Sequence, residues 1–323
     1  MKVFRGLPND RARAPCALTI GNFDGVHRGH QALLARVRDA ASRLELEAAV
    51  MTFEPHPREF FARRSGELSR APTRIANLRD KLQSLSKAGI DRVIVEHFNN
   101  QFASITPDDF TARVLVEGLH VKWLMVGDDF CYGARRAGTG DMLKEAGRRH
   151  GFQVETLPAV LLGEQRVSSS AVRAALASGQ FAHTRELLGH SYKISGHVIH
   201  GAKLGRTLGF PTLNLRVAHH PALSGIFVVQ VHNLAAQPLP AVASLGVRPT
   251  VDDSGRVLLE VHLFDFSQSC YGKVVQVEFL EKIRDEEKYL DLATLTAAIT
   301  RDGEQARAWF HQRAGALTAT DRI

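Results

Sequence analysis

Two histidines three residues apart, His27 and His30, close the stretch Gly21-Asn22-Phe23-Asp24-Gly25-Val26-His27-Arg28-Gly29-His30, which follows an apolar run and opens a helix-period segment. A helix N-terminus offers free N–H groups to phosphate oxygens, glycines allow close backbone approach, and side chains at i,i+3 share one face. Paired imidazoles placed there could hydrogen-bond the α- and β-phosphates of a nucleotide as charge moves onto a leaving pyrophosphate. The same residues also fit a glycine-rich turn with two incidental histidines. Thr52-Phe53-Glu54-Pro55-His56-Pro57 and Val126-Gly127-Asp128-Asp129-Phe130 end later apolar runs, where open α/β sheets place ligands. Each alone is equally a proline-fixed loop or an acidic cap. Val167-Ser168-Ser169-Ser170-Ala171-Val172-Arg173 reads as a helix start, with a serine cap and Arg173 one turn in to meet phosphate, or as capping alone.

A second group of residues suits phosphoryl transfer. His200-Gly201-Ala202-Lys203-Leu204-Gly205-Arg206 continues into Thr207-Leu208-Gly209-Phe210-Pro211-Thr212-Leu213-Asn214. Glycines interleaved with Lys203 and Arg206 make a flexible cationic loop able to fold over phosphates, although this is not a Walker A pattern. Thr212 and Asn214 are two apart, so in an extended segment both side-chain oxygens face one side and could hold Mg²⁺ beside the phosphates. Glu260 lies between Leu259 and Val261 of a strand-like run, on the opposite face from both, and could accept a proton from a hydroxyl nucleophile. A hairpin loop, a polar strand end and a surface carboxylate are the plainer alternatives for these three features.

The elements that must position these groups fall into two patterns. In the first half, apolar runs at Ala17 to Ile20, Ala48 to Phe53, Arg92 to His97 and Trp123 to Val126 read as buried strands. Helical segments at Gln31 to Leu44 and Thr73 to Ala88 lie between them. This βαβα rhythm predicts an α/β domain with a parallel sheet covered on both faces. After about Leu188 the rhythm changes. Strand-like runs at Lys193 to Ile199, Gly225 to His232, Ala241 to Leu245, Leu258 to Phe266 and Val274 to Leu280 are separated by turn residues, which predicts an antiparallel barrel. A final helical stretch, Leu290 to Arg313, carries Gly303, which weakens its continuity. The boundary is set near Gly189, giving domains 1–188 and 189–323.

With 323 residues, 44% hydrophobic and 23% charged, the chain has the composition of an ordinary soluble protein of two domains. The first fifteen residues carry Arg5, Asp10, Arg11 and Arg13 and no long apolar stretch, so no signal peptide is expected, and no run is long enough to span a bilayer. Three cysteines, Cys16, Cys131 and Cys270, are far apart and never form CxxC, which argues against a disulfide framework or a zinc site and points to the cytoplasm. The net charge of +7 allows a nucleic-acid partner. Its basic residues are scattered and no recognition motif accompanies them, so the expectation is no nucleic acid, with the excess lying on solvated surface and at phosphate sites. Nothing in the sequence calls for a homo-oligomer.

The first-half motifs, GNFDGVHRGH, TFEPHP, VGDDFCYG and SSSAVR in that order, resemble the adenylyltransferase module of bacterial bifunctional riboflavin kinase/FMN adenylyltransferases, within the HxGH nucleotidyltransferases. The second-half motifs, HGxxxGRxLGFPTxN, SLGVRPT, LEVHLFDF and FLEKIRDE, resemble riboflavin kinases. The resemblance implies a Rossmann-like nucleotidyltransferase domain followed by a β-barrel kinase domain that together convert riboflavin to FMN and FMN to FAD, with ATP as co-substrate and Mg²⁺ in both steps. It implies ATP contacts from Asn22, Phe23, Gly25, His27, His30, Ser169, Ser170 and Arg173, and FMN contacts from His56 and Asp129. In the kinase half it implies ATP contacts from Gly201, Lys203 and Arg206, magnesium at Thr212 and Asn214, flavin at Arg284 and Glu287, and Glu260 as catalytic base. Cys131 stands where the pattern has arginine or lysine, with Arg135 and Arg136 as candidate substitutes, and Leu213 stands where alanine is usual. Loss of one activity, or a flavin-sensing or RNA-binding regulator on the same scaffold, are the competing readings.

Overall fold

The computed structural model describes residues 1–201, 210–217, 219–247 and 257–320. By contact density the chain divides into two units, Met1–Pro72 with Lys81–Ser169, and Thr73–Asp80 with Ser170–Ile323.

The first unit is built on β1 (Lys2–Arg5), β2 (Cys16–Ile20), α1 (Arg28–Arg43), β3 (Glu47–Glu54) and α2 (Pro57–Arg64). The chain continues through α3 (Leu78–Lys87), β4 (Arg92–His97), α4 (Asn100–Ala103) and α5 (Pro107–Asp109), which runs on as a π-helical segment Phe110–Gly118. It closes with β5 (Val121–Gly127), α6 (Gly140–His150), β6 (Gln153–Leu157) and a short hairpin, β7 (Leu161–Leu162) with β8 (Gln165–Arg166). Six strands form one sheet in the order β1-β4-β3-β2-β5-β6, and every pairing is parallel. All five residues of β2 are buried, as a continuous apolar run must be when helices cover both faces of a central strand. Helix α1 buries Leu33, Leu34, Val37, Ala40 and Ala41, the face its 3.6-residue period predicts.

Both edge strands escape the sequence reading. β1 is four residues long with none fully buried, and β6 alternates irregularly between exposed and half-buried positions, so neither carries an apolar signal. Helix α3 also starts later than expected. Asn77 accepts a hydrogen bond from the Asp80 backbone N–H at 2.9 Å and caps the helix there. The preceding residues are themselves part of the second unit, within which Arg74 N–H donates to His220 O at 2.7 Å.

The second unit holds α7 (Ser169–Ala177, less its first residue) and α8 (Phe181–Leu188), followed by β9 (Lys193–Ile199), β10 (Leu213–Val217), β11 (Gly225–His232), β12 (Leu239–Val247), β13 (Val257–Leu263) and β14 (Val274–Arg284). These six strands close into an antiparallel barrel in the order β10-β13-β12-β11-β14-β9. β13 shows the two-residue period of a barrel wall: Val257, Leu259, Val261 and Leu263 are buried, while the residues between them are half-exposed. β10 is the strand that the sequence reading did not separate from its glycine-rich approach. α9 (Leu292–Thr320) passes through Gly303 without a break, and there Ala306 packs with Val228, Val242 and Phe264, flanked by Trp309 and Phe310. Among the described residues, no helix is long and apolar enough to cross a membrane.

Candidate functional site

The first cluster sits where β2 runs into α1. The backbone between them is strained: Phe23, Gly25 and Val26 have φ of 48°, 81° and 44°. Glycine takes such values freely, but a β-branched valine and a phenylalanine do so at a cost of about 1–3 kcal/mol each, which is characteristic of functional turns. His27 is the N-cap of α1, and its Nδ1 accepts the His30 backbone N–H at 3.4 Å. With Nδ1 occupied as an acceptor, the neutral ring carries its proton on Nε2. The His27 and His30 rings stack with centroids 3.7 Å apart, and Phe23 lies 4.9 Å from His30. Burial pushes His30 well below the ordinary imidazole pKa, and the charges of His27 and Lys81 push it the same way. His30 therefore acts as a neutral imidazole, able to move a hydrogen bond rather than hold a fixed charge.

Phe23, His27, His30, Asp129 and Ser169 line one cavity of about 280 Å³ in the first unit. Ser169, the last residue of the first unit, donates to the Asp24 carbonyl of the histidine turn at 3.3 Å. Asn22 stands on that turn and its Oδ1 is buried without a hydrogen-bond partner. His56 is buried and caps α2, its Nδ1 accepting the Arg58 N–H at 3.1 Å. Ser170 and Arg173 belong to the second unit, where Arg173 donates to the Thr73 carbonyl at 2.6 Å. Cys131 points its thiol at the Asp129 carbonyl, 3.8 Å away. Two residues that sequence reasoning passed over join this region. Arg166, on β8, reaches Asp129 at 2.8 Å and Asp128 at 3.8 Å at the cavity lining. Lys81, on α3, is buried and donates to the Thr52 hydroxyl at 3.3 Å. Arg166 directly precedes the recognised serine motif; Lys81 sits at a helix position whose period calls for an apolar residue.

The second cluster is a row across the barrel wall. Asn214 on β10 faces Glu260 on β13, which faces Ser244 on β12, placing neighbouring Cβ atoms about 5 Å apart. Asn214 is buried, and its Oδ1 has no hydrogen-bond partner, while its amide group approaches the Thr212 carbonyl at 3.5 Å. A buried, unpaired amide oxygen is the kind of hard oxygen donor that Mg²⁺ takes together with substrate phosphates, and a threonine hydroxyl is another, so the chemistry of these two residues fits that ion. Gly201 lies so close that a Cβ there would run into the Asn214 carboxamide. Lys203 and Arg206 lie outside the described residues. Glu286 bends back to this row and accepts from Ser244 at 3.5 Å; burial, with the charge of Glu260 adding to it, pushes its carboxyl above the ordinary value. Arg284 forms a two-pronged pair with Asp302 of α9, at 2.8 and 2.6 Å, and lies 3.8 Å from Glu287. Ser244 and Glu286 fall inside recognised motifs without a role read from them; Asp302 gave no signal, because its partner is 18 residues away.

Residues 9–171 match the family described as FAD synthetase, and residues 188–310 match riboflavin kinase. A bifunctional riboflavin kinase/FMN adenylyltransferase of Haemophilus influenzae is 46% identical over 313 residues, covering 96% of this chain and 100% of that protein. The protein of the same name from Escherichia coli K12 is 44% identical, covering 96% and 98%. Among solved structures, a chain titled a macrolide-efflux protein from Streptococcus pneumoniae shares the fold with a TM-score of 0.72 at 28% identity, covering 96% of this chain and 100% of its own.

Proposed function

This chain belongs to the bifunctional riboflavin kinase/FMN adenylyltransferase family, and from that premise we propose how its residues divide the two reactions. It phosphorylates riboflavin to FMN and adenylylates FMN to FAD, with ATP as co-substrate. We assign residues 1–188 to the second reaction and 189–323 to the first; the spans of the two family matches support that division.

In adenylyl transfer a phosphate oxygen of FMN attacks the α-phosphorus of ATP, and the bond to the β-phosphate breaks to release pyrophosphate. The observation that carries the assignment is the His27–His30 stack at the N-terminus of α1, facing one cavity with Asp129 and Ser169. Free N–H groups of the helix and the imidazole N–H groups take up charge on the leaving pyrophosphate. Asn22, Phe23, Gly25, Ser169, Ser170 and Arg173 complete the ATP contacts, and His56 and Asp129 those to FMN.

In riboflavin phosphorylation Glu260 accepts the proton of the ribityl 5′-hydroxyl as that oxygen attacks the γ-phosphorus, and the bond from that phosphorus to the β,γ-bridging oxygen breaks to release ADP. Gly201, Lys203 and Arg206 hold ATP, and Arg284 and Glu287 hold the flavin. Thr212 and Asn214 would bind Mg²⁺, which supplies charge neutralisation on the phosphates. The three cysteines are free, which supports a reducing, cytoplasmic setting. Small molecules are its proposed partners.

Chromatographic separation of flavins after incubation with riboflavin, ATP and Mg²⁺ tests this scheme. FMN followed by FAD is expected from the native chain, FMN accumulation from His30→Ala, and unconverted riboflavin from Glu260→Ala. Binding of flavin without turnover in the native chain would overturn it in favour of a regulator.

A further inference from the structure

Lysine is an expensive residue to bury, because its ammonium group gives up its water shell. Lys81 nonetheless leaves only 1% of its surface exposed, on the same face of α3 as Leu85, which is fully buried one turn on. The side chain ends under the histidine turn. Its Nζ donates to the Thr52 hydroxyl at 3.3 Å, and that hydroxyl donates onward to the Asn22 carbonyl at 3.1 Å. Thr52 lies near the C-terminal end of β3, fully buried, beside the strand that leads into the turn. A charged donor, a hydroxyl and a turn carbonyl thus form a relay from the body of the unit to the first residues of the strained segment.

We infer that Lys81 is a positioning residue for adenylyl transfer, fixing the Asn22 to His30 turn through Thr52 and setting the charge against which the His27–His30 pair works. The inference rests on the assignment of FAD synthesis to this site. Two consequences follow from the geometry. A relay ending on the Asn22 carbonyl holds the backbone where Phe23 and Val26 adopt left-handed φ, a conformation that the isolated turn would leave. The cation also adds to burial in keeping His30 unprotonated. The charged or titratable groups acting on His30 are His27, at the start of the same helix, and Lys81, from α3; both disfavour a positive charge on it. Removing the ammonium therefore raises the His30 pKa.

The test uses the full-length enzyme with FMN, ATP and Mg²⁺, comparing Lys81→Met, Lys81→Arg and Thr52→Val. FAD formation is followed across pH, riboflavin phosphorylation is measured on the same samples, and the His30 ring is titrated by NMR of histidine-labelled protein, assigned with His30→Ala. Lys81→Met is expected to lower kcat for FAD formation about tenfold or more with a smaller change in KM. It is also expected to move the His30 titration up toward the ordinary 6.5. Lys81→Arg is expected to restore both. Thr52→Val, which breaks the relay and keeps the cation, should lower kcat without moving the titration. The inference fails if Lys81→Met leaves kcat and titration as they were, or if Lys81→Arg is as poor as Lys81→Met with His30 unmoved, the pattern of a packing residue. Should Lys81→Met also lose riboflavin phosphorylation through misfolding, the arginine and Thr52→Val variants decide by the same criteria. A native chain that makes no FAD would instead overturn the site assignment.

Discussion

The two proposed sites would stabilise phosphate chemistry by different means. In the first unit the groups at hand are two stacked imidazoles, the N–H groups of a helix end, and a turn whose backbone carries the strain. On the barrel, the candidate base is a carboxylate in a cross-strand row with Asn214 and Ser244, and the charge to be neutralised would fall to the Mg²⁺ proposed at Thr212 and Asn214. The contrast follows from the folds. A parallel sheet delivers helix N-termini and loops to its C-terminal edge, whereas a barrel wall delivers side chains in register and has no helix dipole to offer. A substitution should accordingly act on the first cluster through orientation and on the second through the loss of a single chemical group.

The sharpest break in that comparison is expected at Glu260. Glu260→Gln keeps the shape of the row and removes the base, so riboflavin phosphorylation should fall about 10³-fold while FAD formation from supplied FMN continues. Parallel rate measurements with riboflavin and with FMN check this. Equal loss of both rates would mean that the two clusters are not separate sites. In the first cluster, His30→Ala leaves His27 and the helix end in place, so a smaller loss of FAD formation is expected, about 10²-fold, with FMN accumulating. Gly201→Ala sharpens the comparison from the barrel side. Its methyl group would meet the Asn214 carboxamide, shift a proposed Mg²⁺ ligand, and slow phosphorylation by about tenfold, chiefly at low Mg²⁺, with FAD formation from FMN unchanged.

Much of this was legible in the residues. The central strands were visible as apolar runs because both their faces are buried, and β9, β11 and β4 fall on the expected residues. The histidine turn was visible because its glycines and spacing are local. What escaped was set by tertiary partners. β10 follows a glycine-rich approach that carries no alternation, and its identity as a strand comes from pairing with β13 and β9. Lys81 differs from its surroundings only as a lysine at an apolar helix position, and it is the fold that brings Thr52, 29 residues earlier, beneath it. Asp302 is legible only once β14 is seen to reach Arg284, four residues beyond the apolar run that announced it.

A second carboxylate of the same barrel shows what distinguishes a reactive group from a structural one. Glu278, on β14, is buried, and burial alone would raise its pKa; hydrogen bonds from Lys193, Ser191, Gln230 and His232 outweigh that and hold it at about 2. Lys193 reaches it at 2.9 Å and His232 at 2.7 Å. Its acceptor capacity is spent on these neighbours, so it can take no part in moving a substrate proton. Because the folded-state value lies below the ordinary 4.5, the ionised group stabilises the barrel above that pH, and the contribution is lost as pH falls from 4.5 through about 2. Glu278→Gln is therefore expected to cost about 1–3 kcal/mol at neutral pH and to flatten the acid limb of the stability profile, leaving the kcat of riboflavin phosphorylation in place. Denaturant unfolding of the two proteins at a series of acidic pH values measures the difference, and a gap between them that stays constant across that window would mean that Glu278 holds the barrel by packing rather than by its charge.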